Sequence, residues 1–208
     1  MKDSVLLKLY KMNLGKTYCI NLSERALRWQ QVSAEFQRVG INDVERFEAI
    51  KRAPGFEGCR ESHLDVLEKC RGLNRFTIFE DDVQFIRNPM SILQLAQEQL
   101  PDDWDMLYLG ANLMKPIMRY SDNLYRIRHA YCTHAIVFNN PKLTDFILAH
   151  REGMRKIDVF YETVVQEQFK CFITYPMVAT QADSYSDIIR RETKYSQLMF
   201  DNFKKNLI

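Results

Sequence analysis

Nowhere in the 208 residues is there an uninterrupted apolar run of the roughly 18 residues that a membrane-spanning helix needs, so the chain reads as soluble or at most peripheral to a membrane. The first ten residues set a charge before an apolar patch, but Lys8 interrupts that patch and no small-residue cleavage site follows, which makes a poor secretory leader. No glycine-rich phosphate loop of the Walker or dinucleotide type is present, and this disfavours a P-loop nucleotidase or a dinucleotide-dependent dehydrogenase. Cysteine is too scarce for a disulfide framework. Cys19, Cys59, Cys70, Cys132 and Cys171 are irregularly spaced and odd in number, as expected of reduced thiols in a cytoplasmic compartment. An excess of one charge is lacking too, with 29 Lys and Arg against 27 Asp and Glu. The basic residues are scattered, and no helix-turn-helix, zinc-finger or aromatic RNA-binding signature accompanies them, so no nucleic-acid partner is expected. There are no repeats, no low-complexity linker and no internal break in composition, and the length suits a single domain.

What is present is an alternation of strand and helix patterns. Residues 16–22 read as a first strand; Ala26, Trp29, Val32, Phe36 and Val39 then recur at helical spacing until Gly40, and residues 44–50 give a second extended segment. A turn containing Pro54, Gly55 and Gly58 precedes a short helix over 62–70. Strands are expected at 75–80, 105–110, 124–127, 134–138 and 172–175, with helices after Pro89, after Pro141 and over 157–169; residues 111–122 read as a mobile loop. The expectation is an α/β fold with a Rossmann-like mixed sheet, helices on both faces, and later strands antiparallel at one edge. Residues 1–15 would be an N-terminal extension, 16–189 the catalytic domain and 190–208 a basic amphipathic segment. That last segment suits peripheral contact with an anionic membrane, although a terminal helix docked on its own domain is the plainer reading.

The chain is organised around residues 75–83, a run rich in aromatic and β-branched side chains that ends in Glu80, Asp81 and Asp82. Burying adjacent carboxylates costs several kcal/mol, about the scale of a whole domain's net stability, unless something compensates them. A divalent cation is the obvious compensation. If the extended conformation persists to Asp82, Glu80 and Asp82 share a face and form an acid-x-acid pair while Asp81 points away. A solvated turn after a strand is the competing reading. Oxygen donors of this kind suit manganese or magnesium better than zinc.

Three further features invite chemistry. Arg25 and Arg28 follow the first strand and Asn21-Leu22, three residues apart on one helix face, which suits charge-assisted recognition of a diphosphate or a base edge; singly they read as surface arginines. Cys59 and His63 lie four apart with Cys70 seven further on, but only three zinc ligands can be nominated, so a buried thiol and a capping imidazole are expected. His134 lies within an apolar strand and reads as a core histidine with a hydrogen-bonded nitrogen.

The order of these motifs carries more than any one of them. Asn21-Leu22 with the following arginines, Phe47-Glu48-Ala49-Ile50, Gly58-Cys59-Arg60-Glu61-Ser62-His63, Phe79-Glu80-Asp81-Asp82-Val83, the 105–110 strand, Thr133-His134-Ala135, Ile157-Asp158 and Ser186-Asp187-Ile188 occur in the sequence order of the family 25 glycosyltransferases. The chain resembles that family, which includes lipooligosaccharide and collagen galactosyltransferases, from about residue 16 to 188. The resemblance implies a glycosyltransferase type A fold and a hexosyltransferase, a galactosyltransferase by family precedent. It would move the sugar with inversion from a UDP-sugar to a hydroxyl of a glycan, a glycolipid or a protein side chain, as in lipopolysaccharide biosynthesis. It further implies a Mn2+ or Mg2+ ion on Asp82 and Glu80, with Asp81 toward the ribose or a backbone amide. Asn21, Leu22, Arg25 and Arg28 would meet the nucleotide, Ser62 and His63 the donor side of the cleft, and Asp187 would order a closing loop. For the base, Asp158 is the first choice and Glu162, one helical turn later, the second. Two readings compete with transfer: a metal-dependent phosphohydrolase of sugar nucleotides, and a non-catalytic sugar-nucleotide or glycan-binding module.

Overall fold

The computed structural model describes residues 13–186 and 191–207. Their main feature is an eight-stranded mixed sheet, assembled from β1 (Lys16–Asn21), β2 (Val44–Glu48), β3 (Phe76–Glu80), β5 (Met106–Tyr108), β7 (Met118–Arg119), β8 (Leu124–Arg126), β10 (Ala135–Phe138) and β11 (Cys171–Thr174). The order across it is β2-β1-β3-β10-β5-β11-β8-β7. β1 pairs parallel with both β2 and β3, so their carboxyl ends lie along one edge, and β10 runs antiparallel to β3, bringing its own start to that edge. Short pieces complete the sheet architecture: β4 (Val83–Phe85) with β12 (Ala179–Gln181), β6 (Asn112–Leu113) with β9 (Ala130–Tyr131), and β13 (Ser184–Ser186) with β14 (Arg191–Thr193).

Two cores follow from the period of 2 along buried strands. Tyr18, Ile20, Phe76, Ile78, Ile136 and Phe138 point to one face, where α2 (Gly55–Lys69), α4 (Pro141–Ala149) and α7 (Tyr195–Lys205) pack; Cys19, Phe79, Ala135, Val137 and Phe172 point to the other, under α1 (Ala26–Val39) and α3 (Pro89–Gln99). This is the α/β class with helices on both faces that the alternating pattern implies. α1 ends where the sequence places its stop: Gly40 adopts φ 76°, and its N–H and that of Ile41 bond back to the Gln37 and Phe36 carbonyls.

Three expectations need correction. The helix expected from 62 begins at Gly55, so Gly55 and Gly58 are helical rather than part of a turn. Gly58 is used for close approach: a Cβ there would stand 2.3 Å from the Ile50 carbonyl oxygen. Residues 111–122 are not a bare loop, since they contain β6 and β7. α7 pins them, with Ile117 N donating to the Asn206 carbonyl at 2.9 Å and Asn202 Nδ2 donating to Asn112 Oδ1 at 2.6 Å. Finally, the 157–169 helix is interrupted: α5 (Ile157–Phe160) passes through a π-helical turn (Tyr161–Val165) into α6 (Gln166–Gln168). Met199 and Phe203 of α7 are buried in the first core, so the helix is docked on the domain, while Leu198 stays exposed. No helix among the described residues is long and apolar enough to cross a membrane.

Gly58→Ala distinguishes packing from propensity. In an open helical position the change stabilises by about 1 kcal/mol, whereas here the new methyl meets backbone that cannot rotate away, and a loss of about 1–3 kcal/mol is expected from urea unfolding. Unchanged or increased stability would mean that the Ile50 segment does not sit against α2.

Candidate functional site

A cavity of about 440 Å³ opens at the edge where β1, β2 and β3 end. Asn21 and Leu22 line it from the end of β1, Arg25 and Arg28 from the start of α1, Lys51 and Arg52 from the segment after β2, Cys59, Ser62 and His63 from α2, and Glu80, Asp81 and Asp82 from the end of β3. Gln181 and Tyr195 also line it. Nine sequence-predicted residues, Asn21, Leu22, Arg25, Arg28, Ser62, His63, Glu80, Asp81 and Asp82, therefore meet in one place.

The three acids are held in three ways. β3 stops at Glu80, and Asp81 and Asp82 occupy the turn before β4, so the extended run that would place Glu80 and Asp82 on a common strand face is broken. Glu80 Oε1 accepts from Thr133 Oγ1 at 2.5 Å and lies 3.1 Å from His63 Nε2. Burial alone would raise the Glu80 pKa, but the His63 and Thr133 contacts outweigh it and keep the carboxyl below its usual range. Asp81 is fixed by Asn21 Nδ2 at 2.6 Å and Arg28 Nη1 at 3.1 Å, so it also faces the cavity wall rather than away from it. Asp82 is the unsatisfied member. Its Oδ2 accepts from Gln181 Nε2 at 3.2 Å while its Oδ1 is buried without a partner, and burial followed by the charges of Glu80 and Asp81 raises its pKa to about 7.

Several contributors were not visible in the sequence. Arg46, on β2, donates from Nε at 2.9 Å and Nη2 at 2.6 Å to Asn21 Oδ1, which orients the Asn21 amide toward Asp81. Thr133 opens the Thr133-His134-Ala135 motif, whose sequence attaches no role to it. It reaches Glu80 because Cys132 before it adopts φ 79°, a left-handed conformation uncommon outside glycine and asparagine. Gln181 arrives by the pairing of β12 with β4, a contact between residues nearly a hundred apart.

Other predicted residues are placed differently. Ser62 lines the cavity but has both bonds inside the fold, donating to the Gly58 carbonyl at 2.7 Å and accepting from Ile50 N at 2.8 Å. His134 is buried as expected, yet neither ring nitrogen finds a normal hydrogen bond; burial drives its pKa down to about 4, and Glu80 and the Ala179 carbonyl offset only part of that. Its carbonyl, by contrast, takes the Glu80 N–H at 2.9 Å. Asp158 opens α5 beside the cavity rather than in its lining. Burial first, and then the Glu80 charge, raise its pKa, so it responds to the same field as the acid cluster. Glu162 lies in the π-helical turn, outside the cavity lining, with Oε1 at 2.6 Å from His129 Nδ1. Asp187 falls outside the described residues.

These groups suit one kind of ligand. Acids, arginines and a lysine line the same cavity, and the buried Asp82 Oδ1 is a donor atom left without a hydrogen-bond partner. A hard divalent ion fits that donor set, and the basic rim fits a diphosphate that would share the ion.

The raised Asp82 pKa makes metal-free stability pH-dependent with a definite sign. Between its ordinary value of 3.8 and about 7 the folded protein keeps a proton that the unfolded chain has lost. That stabilising contribution is complete below about pH 4 and is lost as the pH rises through about 7. In metal-free protein, Asp82→Asn should melt progressively higher than wild type between pH about 5 and about 8. A constant difference in melting temperature across that range would show that Asp82 is not the group under strain.

No protein-family model matches the chain. Among solved structures it is similar to A197 from STIV (12% identity, TM-score 0.47, covering 84% of this chain and 90% of that one) and to the inositol-1-phosphate CTP transferase from T. maritima (15%, 0.43, 92% and 77%). Among curated proteins it is 28% identical over 141 residues to the mouse (Mus musculus) inactive glycosyltransferase 25 family member 3, covering 52% of this chain and 24% of that protein. The human (Homo sapiens) protein of the same name is 29% identical over 97 residues, covering 42% and 16%. The chain thus spans about a quarter or less of the curated relatives it matches, and over that part its sequence is similar to a family 25 glycosyltransferase.

Proposed function

We propose that the chain is a metal-dependent hexosyltransferase that takes a sugar, galactose by family resemblance, from a UDP-sugar and transfers it with inversion to a hydroxyl of a glycan, a glycolipid or a protein. The observation that carries this reading is the buried, unpartnered Asp82 Oδ1 on an acid floor beneath a rim of Arg25, Arg28 and Lys51. Asp82 would hold a Mn2+ or Mg2+ ion, with the cavity-facing side of Glu80 beside it; the ion, when bound, neutralises charge on the diphosphate as it leaves.

The remaining work falls to side chains. Arg25 and Arg28 bind the nucleotide diphosphate from the start of α1, and Arg28 also holds Asp81, so the nucleotide contact and the acid floor are mechanically one unit. Asn21, fixed by Arg46, sets that unit against the end of β1. In the displacement, the acceptor oxygen bonds to the anomeric carbon as the carbon–oxygen bond to the diphosphate breaks, and the acceptor proton passes to Asp158. Its raised pKa makes Asp158 a better base than an ordinary aspartate. Glu162 is less suited, because its carboxylate is already engaged by His129.

A second reading is favoured by the word inactive in the names of both curated relatives: a module that binds a sugar nucleotide or glycan without turnover. Calorimetry with UDP-galactose and manganese, run beside product analysis with and without a glycan acceptor, separates the outcomes. A glycosidic product only with acceptor supports transfer, UMP with galactose 1-phosphate supports a phosphohydrolase, and binding without product supports the module.

Under the transferase reading, Asp82→Ala should lower manganese-dependent turnover by about 10²-fold or more while the circular dichroism spectrum is unchanged. Full activity in that variant removes the metal assignment. Asp158→Asn should slow transfer by about 10²- to 10⁴-fold with donor affinity retained. An unchanged transfer rate would assign the base elsewhere.

A further inference from the structure

Cys59 and His63 stand one helical turn apart on α2 and face the same way, and the fold brings Glu80 against them from the end of β3. The Cys59 sulfur, a His63 ring nitrogen and a Glu80 carboxylate oxygen all lie within 4.8 Å of one another. Sequence spacing offers Cys70 as the third ligand, but Cys70 lies at the other end of α2, beside Tyr18 and Lys69. Glu80 takes that place through tertiary contact.

We propose that Cys59, His63 and Oε1 of Glu80 form a site for a thiophilic divalent cation of the zinc class, distinct in its chemistry from the hard ion assigned to Asp82 and sharing the Glu80 carboxylate with it. The separation of His63 Nε2 from Glu80 Oε1, 3.1 Å, is close to the roughly 3.3 Å expected of two nitrogen and oxygen ligands on one tetrahedral zinc with bonds of about 2.0–2.1 Å. A thiolate donor selects zinc or cobalt over magnesium, and carboxylate with imidazole completes a three-ligand set. All three residues line the cavity, so the fourth position opens toward it, the arrangement of zinc sites that keep an exchangeable ligand. Thr133 Oγ1, at 2.5 Å, donates to the same Glu80 Oε1 and fixes its position. Binding forms bonds from the metal to sulfur, Nε2 and Oε1: the His63–Glu80 hydrogen bond gives way, the imidazole keeps its single proton on Nδ1, the Cys59 thiol proton leaves to solvent, and no electron is transferred. The inference does not rest on the transferase reading, since it concerns metal uptake without donor or acceptor.

The test uses the full chain, stripped of metal under reducing conditions and titrated with zinc chloride or cobalt(II) chloride. Wild type should retain about one equivalent of zinc after desalting, and cobalt should give a near-ultraviolet thiolate charge-transfer band with tetrahedral visible absorption. Cys59→Ser should abolish the charge-transfer band, and His63→Ala should lower zinc retention at least tenfold. Asp82→Ala should keep both signals, which separates failure of the hard-ion reading from failure of this one. Absence of the charge-transfer band from wild type itself overturns the proposal whatever the variants do. So does a band that survives in Cys59→Ser.

Discussion

Three adjacent carboxylates at the end of one buried strand are the constraint to which the rest of this molecule conforms. At the few-ångström spacing of neighbouring side chains, uncompensated charges in a partly desolvated site repel by several kcal/mol, comparable to the net stability of a domain. The fold answers with a different device for each. Glu80 is anchored by His63 and Thr133, and Asp81 by Asn21 and Arg28, leaving Asp82 with one oxygen unmatched. Compensation is nearly complete for two acids and incomplete for the third. That imbalance is what the proposed cation would relieve.

The devices are interlocked. Arg46 fixes Asn21, Asn21 fixes Asp81, and Arg28 holds Asp81 while facing the cavity, so one chain of charge-assisted bonds runs from β2 through β1 and β3 to α1. On the opposite wall, Ser62 ties α2 to the Ile50 backbone, and Gly58 lets the two approach, which sets where Cys59 and His63 stand. The walls of the cavity are thus positioned by backbone packing, and its floor by side-chain hydrogen bonds. Parallel pairing of β1 with β2 and β3 puts both at the carboxyl edge, the place where open α/β sheets gather ligands.

Much of this was legible in the chain itself. The alternation of Tyr18, Cys19 and Ile20, and of Phe76 to Phe79, announces strands buried on both faces, and the helical recurrence of Val32, Phe36 and Val39 up to Gly40 announces α1 and its stop. The acid triplet and the arginines after β1 could be named for the same reason: their chemistry is local and their positions follow from strand ends. The start of α2 was obscured because Gly55 and Gly58 read as breakers, whereas the fold uses Gly58 for a close approach that no local pattern reveals. Residues 111–122 were obscured for a related reason, since their order comes from α7, about ninety residues away.

The sequence by itself therefore determined the α/β class, the two-faced core and most of the charged residues that line the cavity, because each is written in short-range periodicity or charge. Only the tertiary structure decided how those residues divide the work. It ended β3 at Glu80 and turned Asp81 back to Arg28, drew in Arg46, Thr133 and Gln181, and set Asp158 beside the acid field while Glu162 closed on His129. Those outcomes depend on contacts between residues 25 to 100 positions apart. Their energies arise from burial and charge placement, which no local pattern encodes.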